Sequence, residues 1–250
     1  MKLTILTVVK NDEQNIESTI QSVLAQNFQE FEYLIIDGNS NDDTQKIIRR
    51  FKNEKIKFFT IKDNSVYEAL NFGIKKSIGD YIGMLHSGDL FYDNDVLKKI
   101  NEKINSTEIL VTNCFYFKDI NNKIISRSWV KPFNKMSKYN SYKIPHTSTF
   151  IKKSIFNDIG LYSEQYKIAS DTEFLLRAIT NKIKINYLNI NTVMMKIGGK
   201  STAIKYLKIK ILEDLKIYIR YFGFIFFIMY LVKIFSKICD INFIYRKKRL

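Results

Sequence analysis

Four aspartates stand where a chain that binds a phosphorylated ligand would place them. The run Tyr81-Ile82-Gly83-Met84-Leu85-His86-Ser87-Gly88-Asp89 is an apolar segment that stops at a small, acidic corner. Its aromatic and aliphatic residues mark a buried strand, and His86-Ser87-Gly88 supplies the turn that ends it. Asp89 is thereby delivered to a strand's C-terminal edge, where open α/β sheets bind ligands and where a carboxylate can hold a metal ion against a phosphate. Asp37, in Asp37-Gly38-Asn39-Ser40, and Asp63, in Asp63-Asn64-Ser65, follow apolar runs in the same way. Turn and cap chemistry explains single residues of this kind. Three acidic corners after three strands of one sheet point to a shared site. Asp171 differs, because it opens a helix whose dipole keeps a carboxylate ionised and able to accept a proton; an N-cap aspartate gives the same pattern. Gly198-Gly199-Lys200-Ser201-Thr202 offers a cation and two hydroxyls to a phosphate, without the full spacing of a P-loop.

Strand and helix patterns alternate through the first hundred residues, the signature of a mostly parallel sheet with covering helices. The expected strands are Lys2 to Val9, Phe31 to Ile36, Ile56 to Ile61 and the run ending at Asp89. Between them lie helices through Ile16 to Leu24, Ile47 to Phe51 and Val66 to Gly79, the second capped by a Ser40/Asp43 box and the third by Ser65. Beyond Asp89 the pattern gives a helix over Val96 to Ile104, strands over Glu108 to Phe117 and Lys123 to Trp129, and a polar loop from Lys131 to Pro145 that suits an acceptor-side lid. A short helix from Lys152, a clear one after Asp171 and a strand over Ile183 to Ile197 complete the domain.

With 250 residues, 46% of them hydrophobic, the chain can bury a full core as one domain with an appendage. Cys114 and Cys239 lie far apart and neither sits at zinc-ligand spacing with His86 and His146, usage that suits a reducing cytosol. The first nine residues are too short an apolar run for a signal sequence. A net charge of +15 asks for an anionic partner. From residue 203 the tail places Ile204, Leu207, Ile211, Leu215 and Tyr218 on one stripe of a basic helix. Phe222 to Val232 follows without interruption, shorter than the ~20 residues of a bilayer span. The pattern predicts a helix lying in a membrane interface, with packing on the domain or on a second subunit as the alternative.

In their order, these motifs resemble those of a family 2 glycosyltransferase of the GT-A fold, in the bacterial branch that builds capsule, lipopolysaccharide and exopolysaccharide. The resemblance covers residues 1–202 and leaves 203–250 as the tail. It is carried by Thr7-Val8-Val9-Lys10-Asn11-Asp12-Glu13, by Ile35-Ile36-Asp37-Gly38-Asn39-Ser40-Asn41-Asp42 and by the segment from Asp63 to Ile74. His146-Thr147-Ser148-Thr149-Phe150, Ala169 to Arg177 and the Gly198 to Thr202 block follow. It implies a Rossmann-like sheet and inverting transfer of a sugar from a nucleoside diphosphate donor, most simply a UDP-sugar, to a hydroxyl of a glycan or lipid-linked acceptor. The donor side would be Val8, Asn11, Glu13, Asp37, Asp63, Tyr67, Asn71, Ser87, Gly88 and Lys200. Asp89 would hold a divalent cation, magnesium or manganese, His146 and Glu173 would face the acceptor, and Asp171 would be the base. Two departures stand out: the metal motif keeps only the last acid of its usual two or three, and Ser170 replaces the glutamate of the usual Glu-Asp pair.

The tail and the cysteine usage together lead to the expectation of a cytoplasmic enzyme, peripheral on the inner face of the cytoplasmic membrane where a lipid-linked acceptor would be found, with no nucleic-acid partner. A nucleotide-dependent oxidoreductase fails for want of a Gly-x-Gly-x-x-Gly turn after the first strand. A basic nucleic-acid-binding protein has the charge but no recognition motif. An inactive family member serving as an assembly partner stays open because of the reduced metal motif.

Overall fold

A two-residue alternation of burial builds the sheet. In β1 (Leu3–Val9), Leu3, Ile5 and Val9 enter one apolar cluster while Leu6 and Val8 enter another. In β2 (Phe31–Asp37), Tyr33 and Ile35 repeat the first choice, Leu34 and Ile36 the second. A strand apolar on both faces must be covered on both. Helices α1 (Ile16–Leu24), α2 (Thr44–Arg50) and α4 (Val96–Lys103) close one side. On the other lie α3 (Val66–Lys76), α5 (Lys153–Asp158) and α6 (Ser170–Thr180). The computed structural model describes residues 2–62, 65–104, 107–117, 136–196 and 206–235. Asp63, Lys200 with its 198–202 block, the expected strand at 123–129 and the chain beyond 235 lie outside these.

The remaining strands are β3 (Ile56–Thr60), β4 (Tyr81–Met84), β5 (Leu90–Phe91), β6 (Ile109–Phe117), β7 (Thr149–Lys152) and β8 (Ile185–Lys196). Among the described residues they form one eight-stranded sheet, ordered β3-β2-β1-β4-β7-β6-β8-β5. The half from β3 to β4 is parallel, as the alternating pattern predicts. The other half is mixed, with β7 antiparallel to β4 and β6, β8 parallel to β6, and β5 antiparallel to β8. Although β5 pairs at the far edge, it follows β4 directly in the chain, so the sheet curls until the end of β8 meets the corner after β4. The Lys196 backbone N–H donates to Asp89 Oδ1 at 3.0 Å.

Two caps differ in outcome. Ser65 caps α3 as expected, its hydroxyl accepting the Glu68 N–H at 3.2 Å. Ser40 does not cap α2: its backbone N–H and hydroxyl both turn back to the Asp37 carboxylate. The tail also differs in its face. Helix α7 (Leu207–Phe222) packs Ile217, Tyr218 and Phe222 against Tyr166, Ala169 and Leu176, leaving Leu207 and Ile211 of the expected stripe exposed. The buried face is selected by Glu213, whose carboxylate accepts the N–H groups of Lys167, Ile168 and Ala169 at 2.7, 2.9 and 3.0 Å.

Glu32 ties the parallel half together from below. Its carboxylate accepts from the Thr4 hydroxyl at 2.6 Å, from the Ile78 and Gly79 N–H groups and from Lys57 Nζ at 2.9 Å. Burial raises its pKa, but these donors outweigh burial and hold it below the ordinary 4.5. A depressed carboxylate adds stability above its unfolded pKa and loses it as pH falls through the folded value. Glu32→Ala is therefore expected to cost about 3 kcal/mol at neutral pH by orphaning buried donors, and less near pH 3, as measured by urea unfolding at the two pH values.

Candidate active site

At the C-terminal edge of the parallel strands the site is built from three corners. After β1, Asn11 adopts φ 52°, and its Oδ1 accepts the Asn41 N–H at 2.9 Å while its own N–H donates to Ser40 Oγ at 2.8 Å. Glu13 Oε2 accepts the Asp43 N–H at 2.9 Å. These bonds lace the loop after β1 to the loop after β2. Asp37 lies beneath them, fully buried, with both carboxylate oxygens taken by Ser40. From there it orders the corner from below. Val8 likewise has its side chain in the core.

After β4 the chain turns at Gly88, whose φ of 92° is open to glycine at little cost. Its N–H donates to Thr19 Oγ1 at 2.9 Å, Ser87 Oγ donates to Asp12 Oδ2 at 2.6 Å, and Lys196 Nζ donates to Asn15 Oδ1. Asp89 is 5% exposed. Burial pushes its carboxyl up to about 7 and the charge of Asp12 adds to this, against the Lys196 N–H and His146. Among the described residues no three His, Cys, Asp or Glu side chains come together as metal ligands. A buried carboxylate raised in this way is short of positive charge. The corner fits a divalent cation only with Asp89 as a minor protein ligand and a diphosphate supplying most of the coordination sphere.

The third corner holds Asp171 at the second position of α6. Oδ1 accepts the Thr172 N–H at 2.8 Å and the Tyr67 hydroxyl at 3.2 Å, and Oδ2 lies 3.1 Å from His146 Nδ1. Burial alone raises this carboxyl. The hydrogen bond and charge of His146, the Thr172 N–H and the charge of Lys233 reverse that and hold it well below the usual carboxylate range. His146 follows Pro145 at the start of a single 3-10 turn (His146–Ser148), and its Nε2 meets His86 Nε2 at 2.6 Å. One nitrogen of that pair donates and the other accepts. Because His86 stands three residues before Asp89, this contact joins the Asp89 corner to the start of α6.

Three more of the expected site residues are bonded within the fold. Tyr67, expected on the donor side, is buried and spends its hydroxyl on Ile168 O at 2.7 Å and on Asp171. Asn71 is buried and clamps the segment after α5: its Nδ2 donates to Tyr162 O at 2.8 Å and Glu164 Oε1 at 2.9 Å, and its Oδ1 accepts the Tyr162 N–H at 3.0 Å. Glu173, expected to face the acceptor, is buried against the tail, accepting from the Tyr221 hydroxyl at 2.7 Å and pairing with Arg177 at 3.2 Å. Their polar atoms are already engaged within the protein. Conversely, Asp12, Lys196, His86 and Glu213 shape the site without having been singled out. The one legible signal was that His86 ends the apolar run from Tyr81 to Leu85.

A curled eight-stranded sheet with acidic corners along the C-terminal edge of its parallel half defines the GT-A architecture of nucleotide-sugar transferases. The chain belongs to glycosyl transferase family 2, whose model matches residues 4–160, and it is a glycosyltransferase. An uncharacterized glycosyltransferase of Mycobacterium tuberculosis is 29% identical over 182 residues, 70% of this chain and 68% of that protein. S. aureus TarS in complex with UDP-GlcNAc superposes with a TM-score of 0.70 at 20% identity, covering 88% of this chain and 66% of that one. The mannosyltransferase PcManGT of Pyrobaculum calidifontis, in complex with GDP-Man and Mn2+, gives 0.67 at 11% identity, over 87% and 63% of the two chains. At these identities the structural likeness is one of fold. The chain thus spans about two thirds of the length of the proteins it matches.

His86 gives a direct test of the site's electrostatics. Burial and the charge of His146 lower its pKa to about 3, against a smaller upward pull from Asp171. The unfolded chain, titrating at the ordinary 6.5, then takes up the proton first, so His86 should cost stability as pH falls from 6.5 toward 3. With two histidines in the chain, 15N imidazole spectra should show one ring still neutral at pH 5; both rings titrating near 6.5 would contradict the packing described.

Proposed function

We propose that the protein transfers a sugar, with inversion, from a UDP-sugar to a hydroxyl of a glycan or lipid-linked acceptor in cell-surface polysaccharide assembly. The observation that carries this reading is the juxtaposition of the Asp89 corner with Asp171 through the His86–His146 contact. UDP is favoured because TarS, of the same fold, is bound to UDP-GlcNAc. Glycosyl transfer forms a bond from the acceptor oxygen to the anomeric carbon, breaks the bond from that carbon to the diphosphate, and releases the acceptor's proton. Charge grows on the diphosphate, and Lys196 and the Gly88 turn lie where the corner would meet it. A divalent cation bound there, with Asp89 as its protein ligand, would neutralise leaving-group charge. The proton passes to Asp171, which is ionised at neutral pH and whose orientation is fixed by Tyr67, Thr172 and His146. His146 is the positioning residue that holds Oδ2 in place.

Turnover by Asp171→Asn should fall by at least ~10²-fold with donor binding little changed, since the amide keeps the shape and loses the proton acceptor. His146→Gln is expected to lower kcat by ~10-fold or more with KM for the donor nearly constant, and to move the acidic limb of the pH–rate profile. Glu173→Gln, at a buried brace, should show up first as a lower melting temperature. Calorimetric titration with UDP should give binding that strengthens with Mn2+ and loses that gain in Asp89→Asn; equal affinity with and without the metal would remove the role given to Asp89. Near-normal transfer by Asp171→Asn would place the base elsewhere.

A further inference from the structure

The stretch Leu207–Phe235 is helical over 29 residues and, by length and composition, apolar enough to cross a bilayer. Its geometry is not that of a span. Nineteen residues separate Asp214 from Lys233, about 28 Å along a straight helix at ~1.5 Å per residue, yet carboxylate and ammonium meet at 2.7 Å and both are buried. The reversal sits at Gly223, with φ 55° and ψ −131°, a conformation that side-chain-bearing residues avoid. A single 3-10 turn (Gly223–Ile225) follows, and residues 226–235 are helical again and run back along α7. Tyr230 packs on Tyr218 with ring centroids 5.9 Å apart, and Lys233 Nζ lies 5.1 Å from the Tyr218 ring centre.

We infer that this helical hairpin is a monotopic anchor, entering and leaving an anionic lipid leaflet from the same side with Phe224 at its tip. Phe224 is completely exposed, and Phe227, Ile228, Leu231 and Phe235 are exposed on the same face of the returning helix, at helical spacing from it. The opposite face carries Met229 and Lys233 into the protein. The described part of the returning arm, 226–235, spans about 15 Å at ~1.5 Å per residue, and because it doubles back along α7 the hairpin enters and leaves one leaflet rather than running straight through a ~30 Å hydrocarbon core. On α7, Lys216 and Arg220 are exposed beside Ile219. A face that mixes apolar side chains with cations repels a second copy of itself and attracts anionic headgroups. The root of the hairpin is Glu213, which grips the backbone of 167–169 just ahead of Asp171. Anchoring there presents the start of α6 to acceptors that sit in the membrane. This goes beyond the transfer reaction and is tested without it.

The full chain should sediment with vesicles of phosphatidylcholine and phosphatidylglycerol (3:1) and at least ~10-fold less with phosphatidylcholine alone. With the single native tryptophan replaced (Trp129→Phe), Phe224→Trp should shift to the blue and be quenched by bromines in the outer half of the leaflet. A C-terminal epitope should be cut by protease added outside the vesicles. Phe224→Asp with Ile228→Asp should weaken binding at least ~10-fold at an unchanged melting temperature. A protected epitope would make the stretch a span and overturn the inference. Failure to bind either vesicle would also overturn it, and a dimer in sedimentation equilibrium would then assign the face to a second copy.

Discussion

A half-buried carboxylate must be matched by donors and positive charge, or it takes up a proton and ceases to be a base. Asp171 is matched by groups from four separate parts of the chain: Tyr67 at the start of α3, His146 in its 3-10 turn, the Thr172 N–H of α6 and the charge of Lys233 from the tail. None is close in sequence except Thr172. The arrangement around the reacting edge follows from bringing these four segments to one point. The clamp of Asn71 on Tyr162 and the grip of Glu213 on residues 167–169 both steer the start of α6.

The donor side is organised by the opposite need. There Asp12 and Asp89 bring negative charge together around Ser87 and Gly88, and Lys196, delivered by the curl of the sheet, donates its backbone N–H to Asp89 and its ammonium to Asn15. A carboxyl raised toward neutrality is a poor structural element and a good receptor for added positive charge. The two sides therefore carry complementary electrostatics: one keeps its carboxylate ionised by itself, while the other gains from a ligand that brings a cation. The imidazole pair His86–His146 is the contact through which they share a geometry.

The tail belongs to this same economy. Glu213 and Asp214 are adjacent acids on one buried face of α7, and each has a defined partner, the 167–169 backbone and Lys233. Folding the returning helix over α7 places Lys233 near enough to contribute to the state of Asp171. An element that by composition looks like an appendage thus helps to set the electrostatics of the reacting edge.

The sequence by itself determined the layers and the corners. Alternating apolar positions in Leu3–Val9 and Phe31–Asp37 require a sheet covered on both faces, and the Ser65 cap and the Gly88 turn are local chemistry that a short window contains. For the same reason Asp89 and Asp171 were legible as residues at a strand end and a helix start. What the tertiary structure alone decided is which partner each polar group meets. Tyr67, Asn71 and Glu173 have the residue types of ligand contacts, and the fold gives each a partner distant in sequence, as with Tyr67 and Asp171. Lys196, His86 and Glu213 acquire their roles only when the curl of the sheet and the packing of α7 bring them in. The hairpin at Gly223 is the sharpest case: local composition permits a straight helix there, and the reversal is fixed by an ion pair between residues nineteen apart. Periodicity reports which face is buried, but only long-range contacts report what it is buried against.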